Sequence, residues 1–167
     1  MSLSLRATDI FAQLGIISWE DAKLCMELGF KAIYISNHGG RLLETAPTAV
    51  EILLDIHKNA PEVIEKMEIY ADGGVRHGSD IVKLLALGAK GVGVGRPSVL
   101  PFELVILKTN EMSRAVFSNA WGLEGVEKFI SMLKRELITT LMLLGVNDIK
   151  QLDRSYINTK AVEAWLF

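Results

Sequence analysis

The sequence predicts an α/β fold built on parallel strands. Its 167 residues, half of them hydrophobic, fit a single domain with a sizeable core. Short β-rich runs alternate with helical segments, and three of these runs are each followed by a glycine-rich turn. This alternation favours parallel pairing of the strands through right-handed crossovers.

The first unit begins with a helix predicted at 18–28, where Ser18 can cap the amino terminus and Gly29 stops the helix. The run KAIYIS at 31–36 then predicts a buried strand. After a glycine-rich turn, a second helix is expected to reach about Lys58, with Pro47 in its first turn.

The next two units follow the same order. EIYA at 68–71 predicts a strand, and residues 79–87 predict a helix that ends before Gly88. Residues 90–94 predict a third strand, and a long helix is expected over about 123–144. The segment between them, about 99–117, is long for a connection between a strand and its helix, so we expect an atypical insertion there.

All three glycine-rich turns lie just past the carboxyl ends of their strands. In a (β/α)8 barrel this rim carries the active site. An open doubly wound sheet places its site at the same edge, so the pattern alone does not choose between the two architectures.

The first turn reads SNHGGR at 36–41 and contains the strongest candidates for chemistry. A histidine at a strand end is suited to general base catalysis because its ordinary pKa lies near neutrality. Arg41, three residues after His38, offers a planar group that can hold a carboxylate through two hydrogen bonds. Taken alone, the motif fits equally well an exposed loop histidine beside a solvated arginine.

The second and third turns are candidates for binding phosphate. DGGVRHG at 72–78 precedes a helix, so backbone N–H groups and the helix amino terminus could face an anion, and a plain turn held by Asp72 is the alternative. GVGVGRP at 91–97 is not the dinucleotide fingerprint, because the spacing differs. It suits a second phosphate contact or a closely packed buried strand. Two such loops on consecutive strands are typical of the phosphate site of barrels.

Composition excludes several function classes. The net charge of −2 gives no reason to expect nucleic acid or a membrane surface as partner, and no apolar run reaches the ~18 residues that span a bilayer. The single cysteine, Cys25, is interpreted as a small core residue, and no Cys/His cluster has metal-ligand spacing. His57 is interpreted as a surface residue and His77 as a turn residue. A stripe on the long helix is expected to pack in the core: Leu133, Leu137, Leu141 and Leu144.

Together, SNHGGR, DGGVRHG and GAKGVGVGRP (88–97) resemble the FMN-dependent 2-hydroxy-acid dehydrogenase and oxidase family, which includes glycolate oxidase, lactate oxidase and flavocytochrome-type L-lactate dehydrogenase. The resemblance covers about 15–152 and implies one FMN hydroxy acid dehydrogenase domain over 1–167. It corresponds to the C-terminal half of a TIM barrel, about strands five to eight. The whole barrel needs roughly 250 residues, so the expectation is an incomplete barrel.

The resemblance also implies roles for individual residues. His38 resembles the active-site base, Arg41 the arginine that holds the substrate carboxylate, and Ser36 a residue that touches the flavin. The segments that hold the phosphate and ribityl chain of FMN match a further set: Asp72, Gly73, Gly74, Val75, Arg76, Gly95 and Arg96. Leu14 departs from the family, which has a lysine near the flavin at this position.

The implied activity is FMN-dependent oxidation of a small L-2-hydroxy acid to a 2-oxo acid, with a homo-oligomer expected if the full barrel forms. The first half of the family barrel supplies substrate-site tyrosines and the aspartate that pairs with the histidine. The alternative is therefore a non-catalytic truncated half-barrel that retains only the phosphate-binding loops. Another phosphate-binding barrel enzyme is disfavoured by SNHGGR. The expected compartment is intracellular and soluble by default, with mitochondrion or peroxisome left open by the resemblance.

Overall fold

The computed structural model describes residues 12–41, 43–95 and 122–166. Within them, four parallel strands form one sheet in the order β1-β2-β3-β4. The strands are β1 (Ala12–Ile16), β2 (Ala32–Ile35), β3 (Glu68–Ala71) and β4 (Gly91–Val92). Neighbours in space are therefore also neighbours in sequence, an order that the predicted strand–helix alternation allows. β1 was not among the predicted strands.

Six helices accompany the sheet in the described part of the chain. They are α1 (Trp19–Glu27), α2 (Ala49–Asn59), α3 (Pro61–Lys66), α4 (Gly78–Ala86), α5 (Gly122–Leu143) and α6 (Lys160–Leu166). Short 3-10 turns lie at His38–Gly40, Ile149–Gln151 and Arg154–Tyr156. No helix of these residues is long and apolar enough to cross a membrane.

The alternation of side chains along β2 and β3 gives the sheet two different faces. Ile33 and Ile35 on β2, and Ile69 on β3, are fully buried in the core shared with the helices. Tyr34 and Tyr70 point to the opposite face and are only half-buried. Because side chains alternate between the faces of a strand, the same pattern that builds the core also aims the residues between them at the other face.

The helix ends follow ordinary capping chemistry. Ser18 accepts a hydrogen bond from the Asp21 N–H at 3.1 Å, which confirms the predicted cap of α1. The cap of α2 is Thr48, which forms a capping box with Glu51. The placement of Pro47 in the first turn of that helix is therefore wrong: Pro47 precedes the cap, because Thr48 supplies the hydroxyl that the helix amino terminus needs.

The long helix α5 packs closely against the start of α4. A Cβ atom on Gly78 would lie 2.2 Å from the backbone nitrogen of Leu137, so only glycine allows this approach. Leu133 is buried here as predicted, but Leu144 is 38% exposed, so the predicted stripe is only partly core.

Other expectations were confirmed or shifted by small amounts. Cys25 is buried, and burial, together with the charge of Asp21, raises the pKa of its thiol. The strand predicted at 90–94 is β4, and it is shorter than predicted, since only Gly91–Val92 pair with β3. His57 is half-buried rather than on the surface, and its Nε2 lies 2.9 Å from the Leu87 carbonyl oxygen. Arg96 and the 99–117 segment lie outside the described residues.

Candidate active site

The loop after β2 turns sharply and presents His38 at the sheet edge. Backbone φ is positive at three consecutive residues, His38 (53°), Gly39 (65°) and Gly40 (72°). Glycine adopts this region freely, whereas a histidine there is uncommon and must be held by its surroundings. The hydroxyl of Ser36 accepts a hydrogen bond from the His38 N–H at 3.1 Å, which contributes to that restraint.

Asn37 ties this loop to its neighbours, a role that the sequence motif did not reveal. Its Nδ2 donates to the Pro47 carbonyl oxygen at 3.0 Å, and its Oδ1 accepts from the Gly40 N–H at 3.1 Å. A Cβ atom on Gly73 would lie only 3.2 Å from the same Oδ1. An asparagine before a tight turn is a local signal for such bonds, but its contact with the second loop depends on the tertiary fold.

Asp72 begins the second loop, and only one of its two carboxylate oxygens accepts a hydrogen bond among the described residues. Its backbone N–H donates to the Ile35 carbonyl oxygen at 3.1 Å. The Tyr34 hydroxyl donates to Oδ2 at 3.4 Å, while Oδ1 is buried and has no hydrogen-bond partner among the described residues. A buried polar atom without a partner is rare in native proteins, so Oδ1 marks a position where a ligand donor would fit.

The amino terminus of α4 is already occupied by carboxylates of the protein. Asp80 Oδ2 accepts from the backbone N–H groups of Arg76 and His77, both at 3.1 Å. Glu136 on α5 accepts from the Gly78 N–H at 3.0 Å. Three N–H groups at this terminus therefore bond carboxylates of the protein, and the expectation that the loop and helix terminus face a bound anion stays a prediction.

The backbone N–H groups of this loop that could still bind a ligand lie before Arg76 in the chain. No hydrogen bond between described residues uses the backbone N–H groups of Gly73, Gly74 or Val75. Positive φ at Gly73 (93°) and Gly74 (74°) sets the course of the backbone here. Val75 is buried in the core, so only its backbone is available for binding. Arg76 is exposed and makes at least one interaction besides the bond from its N–H to Asp80.

The pKa of Asp80 is lowered because its carboxylate accepts several hydrogen bonds at this helix terminus. Burial alone would raise the pKa of Asp80. Hydrogen bonds from the backbone of Arg76 and the ammonium group of Lys83 outweigh the burial, so the pKa lies below its ordinary value. His77, predicted to be a turn residue, lies just before the helix with Nδ1 3.7 Å from Glu136 Oε2.

A cleft of about 400 Å³ opens at the carboxyl ends of β1, β2 and β3. Its lining residues are Gly15, Ile17, Tyr34, Ser36, Asn37, His38, Leu43, Ala46 and Asp72. The structure thus brings Ser36, His38 and Asp72 into one site, as their motifs led us to expect. Arg41 and Arg76 are exposed and do not line this cleft, and Gly95 is exposed in the third loop.

Comparison with known proteins shows the family to which the chain belongs. The FMN-dependent dehydrogenase family matches residues 14–105 and 112–159, so the chain belongs to that family. It is 36% identical to an L-lactate dehydrogenase (cytochrome) of Wickerhamomyces anomalus over 89% of this chain, and 37% identical to glycolate oxidase 3 of Arabidopsis thaliana over 87%. The chain spans 23% and 34% of the lengths of these two relatives.

Solved structures of proteins similar to members of this family have the same fold as this chain. The recombinant flavin-binding domain of baker's yeast flavocytochrome b2 superposes with a TM-score of 0.74 at 31% identity, over 90% of this chain and 35% of that one. A crystal structure of (S)-mandelate dehydrogenase, a monotopic membrane protein, superposes with a TM-score of 0.67 at 32% identity, over 87% of this chain and 33% of that one. The parallel α/β fold therefore matches that of flavocytochrome b2 enzymes.

Proposed function

We propose that this chain supplies the acid-base and FMN-anchoring residues for oxidation of a small L-2-hydroxy acid to a 2-oxo acid. The observation that carries the proposal is the buried Asp72 Oδ1, which lacks a partner in a cleft that also contains His38 and Ser36. In a member of the FMN-dependent dehydrogenase family, a flavin with hydroxyl donors accounts for an acceptor placed there.

The residues around Asp72 fit FMN. The ribityl chain carries hydroxyl groups that can donate to Asp72 Oδ1, and Ser36 at the cleft would touch the flavin. The free backbone N–H groups of Gly73, Gly74 and Val75 suit a phosphate, with Arg76, Gly95 and Arg96 as further contacts. When bound, FMN accepts the two electrons that leave the C2 carbon of the substrate.

His38 is proposed as the base. It lines the cleft at the end of β2, and its uncommon backbone conformation is held by Ser36. An imidazole in this position would remove a proton from the substrate, because histidine is the side chain that most often serves as a general base. Arg41 is proposed to hold the substrate carboxylate, and its exposed side chain has no hydrogen-bond or ion-pair partner among the described residues.

We also propose that β1 to β4 correspond to about strands five to eight of a (β/α)8 barrel. Such a barrel has eight parallel strands with its active site at their carboxyl ends, where the cleft lies here. Large apolar side chains on α5 are exposed, with Leu123 at 75%, Ile130 at 57% and Met142 at 73%. Exposed apolar residues of this kind fit a helix that further barrel elements would cover.

The experiment adds FMN to the purified chain and follows visible flavin absorption without oxygen, before and after addition of L-lactate or glycolate. Bound flavin that is bleached by a hydroxy acid supports the proposal. Bound flavin that stays unbleached supports the alternative, a truncated half-barrel that retains only the binding loops. Failure to bind FMN at all contradicts the proposed cofactor site.

The His38→Gln variant tests the base directly. It should keep the flavin and slow bleaching by at least about 100-fold, because a general base contributes factors of that order. His57→Gln is the matched control, since His57 lies on α2 with its ring bonded to the Leu87 carbonyl, away from the cleft. Equal bleaching rates in the two variants would remove His38 from the mechanism.

A further inference from the structure

Tyr34 lies in the candidate cofactor cleft, although the motifs gave it no role. It is in the middle of β2, where its neighbours Ile33 and Ile35 face the core and Tyr34 faces the cleft. Its hydroxyl donates to Asp72 Oδ2 at 3.4 Å. This is long for a bond between a hydroxyl and a carboxylate, and such contacts commonly tighten when a site is filled.

Gly93 makes the room for this tyrosine. A Cβ atom on Gly93 would lie 2.1 Å from the Tyr34 hydroxyl oxygen and 3.1 Å from Asp72 Cβ. The φ of Gly93 is not in the left-handed region, so the backbone would accept alanine. Space, rather than conformational freedom, therefore requires glycine here, and Tyr34 and Gly93 form a pair of complementary size.

We propose that Tyr34 is a positioning residue that holds Asp72 through Oδ2, so that Oδ1 remains as the acceptor for the ribityl hydroxyl groups of the flavin. A carboxylate without this restraint could rotate and offer either oxygen, and part of the binding free energy would then go into fixing it. The proposal rests on the proposed function, because it assigns Asp72 to the ribityl chain.

The donor role of Tyr34 holds across the physiological pH range. Burial is the main cause that raises the pKa of the Tyr34 hydroxyl above its ordinary value, and the charge of Asp72 and the hydrogen bond to it add to the effect. The hydroxyl therefore stays protonated and can only serve the carboxylate as a donor.

The first test compares affinities for FMN and riboflavin, measured by quenching of flavin fluorescence on the full chain. Riboflavin has the ribityl chain but no phosphate. Tyr34→Phe should weaken binding of both by about five-fold, the effect of one modest hydrogen bond, and leave their ratio unchanged. Arg76→Gln, by contrast, should weaken FMN and leave riboflavin unaffected.

Tyr70→Phe is the matched control. Tyr70 is paired with Tyr34 in the β2–β3 register and packs against a glycine, Gly91. Its hydroxyl donates to Glu68 at 3.0 Å, and it does not line the cleft. Removing this hydroxyl should leave both flavin affinities unchanged.

The second test separates positioning from a merely structural role. In an Asp72→Ala background, Tyr34→Phe should cause no further loss of riboflavin affinity, because Tyr34 acts only through Asp72. Gly93→Ala should weaken flavin binding in the unsubstituted chain and have much less effect in the Tyr34→Phe background. Additive losses in either cycle would overturn the proposal.

The outcomes also separate this proposal from the one on which it rests. If the unsubstituted chain binds neither FMN nor riboflavin, the proposed function fails and the positioning role with it. If it binds both, and Tyr34→Phe binds them equally well while retaining its thermal midpoint, the positioning role alone is overturned.

Discussion

The loops that follow β2 and β3 lie at the same edge of the sheet but are held in different ways. The loop at 36–41 is held by its own side chains, through the bonds of Ser36 and Asn37 inside the loop and one bond from Asn37 to Pro47. The loop at 72–78 is held from outside, by the carboxylates of Asp80 and Glu136 on two helices. The loop proposed for proton transfer thus depends mainly on its own residues, and the loop proposed for anchoring depends on a local cap, Asp80, and on a distant residue, Glu136.

This difference predicts which substitutions should affect the proposed cofactor binding and which should affect the proposed base. Changes on α4 or α5 should loosen the 72–78 loop and weaken cofactor binding, while the conformation of His38 is preserved. Changes at Asn37 should instead loosen the 36–41 loop, while the 72–78 loop keeps its conformation. The predictions that follow separate the two loops in order of decreasing effect.

The largest effect is expected from Gly78→Ala. The added Cβ would lie 2.2 Å from the Leu137 nitrogen and 2.5 Å from the Glu136 carbonyl carbon, both of which are backbone atoms of α5. Since neither can move without shifting the helix, the free energy of unfolding should fall by about 3 kcal/mol, at the upper end for overpacked sites. Urea unfolding followed by circular dichroism measures this loss.

Gly95→Ala is the control for that measurement. No atom of the described residues lies within 4 Å of its added Cβ, and its φ is not in the left-handed region. The change in unfolding free energy should stay within about 0.5 kcal/mol, as for most open surface sites. Similar losses at Gly78 and Gly95 would show that α5 does not hold the second loop.

The next largest loss of unfolding free energy is expected from Asp80→Ala. It removes the acceptor of the Arg76 and His77 N–H groups, so it should cost about 1–2 kcal/mol of stability, as other lost helix caps do. Because the folded-state pKa of Asp80 is lowered, its contribution is present above the ordinary carboxyl pKa of about 4 and is lost as pH falls through the folded-state value.

The measurement is the free energy of unfolding of the parent chain and of Asp80→Ala from neutral to acidic pH. The two curves should differ most near neutrality and converge in acid. A difference that stays constant with pH would mean that ionised Asp80 is not what holds the second loop.

Asn37→Ala tests the first loop and should have a smaller effect, about 1 kcal/mol, because two hydrogen bonds to partly exposed groups are lost. Amide exchange should speed up at Gly40, whose N–H donates to Asn37, and remain unchanged in α4. Asn37→Asp keeps the acceptor for Gly40 and loses the donor to Pro47, so its effect should be intermediate. Faster exchange in α4 would show that the loops are coupled.

The local part of this structure could be predicted from the sequence. The cap at Ser18, the strand at Glu68–Ala71 and the location of His38 and Asp72 at one sheet edge follow from residue type and periodicity, which are local properties. Membership of the family also followed from the three loop motifs.

The rest depends on contacts between distant residues. Glu136 accepts from Gly78, 58 residues earlier in the chain, and the space for Tyr34 comes from Gly93. No periodicity in the sequence records such pairs, because they arise only when helices and strands pack together. For the same reason, the sequence did not show that Glu136 reaches the start of α4 from another helix.

The smallest expected effect concerns the ion pair between Lys83 and Asp80. Lys83 Nζ lies 3.1 Å from Asp80 Oδ1, and the Lys83 side chain is 53% exposed. Exposed pairs three residues apart on a helix contribute about 0.3–0.5 kcal/mol and are screened by salt. Lys83→Met should therefore cost no more than this in unfolding free energy, and the loss should shrink further at high salt.

The comparison between Lys83→Met and Asp80→Ala identifies which bonds of Asp80 hold the second loop. If the backbone N–H groups are the main partners, Lys83→Met should retain most of the pH dependence that Asp80→Ala abolishes. Lys83→Arg, which keeps the charge, is the control and should match the parent chain. A loss in Lys83→Met as large as in Asp80→Ala would instead make the second loop depend on a surface ion pair. Its stability would then fall steeply with salt, while that of the Asn37-held loop would not.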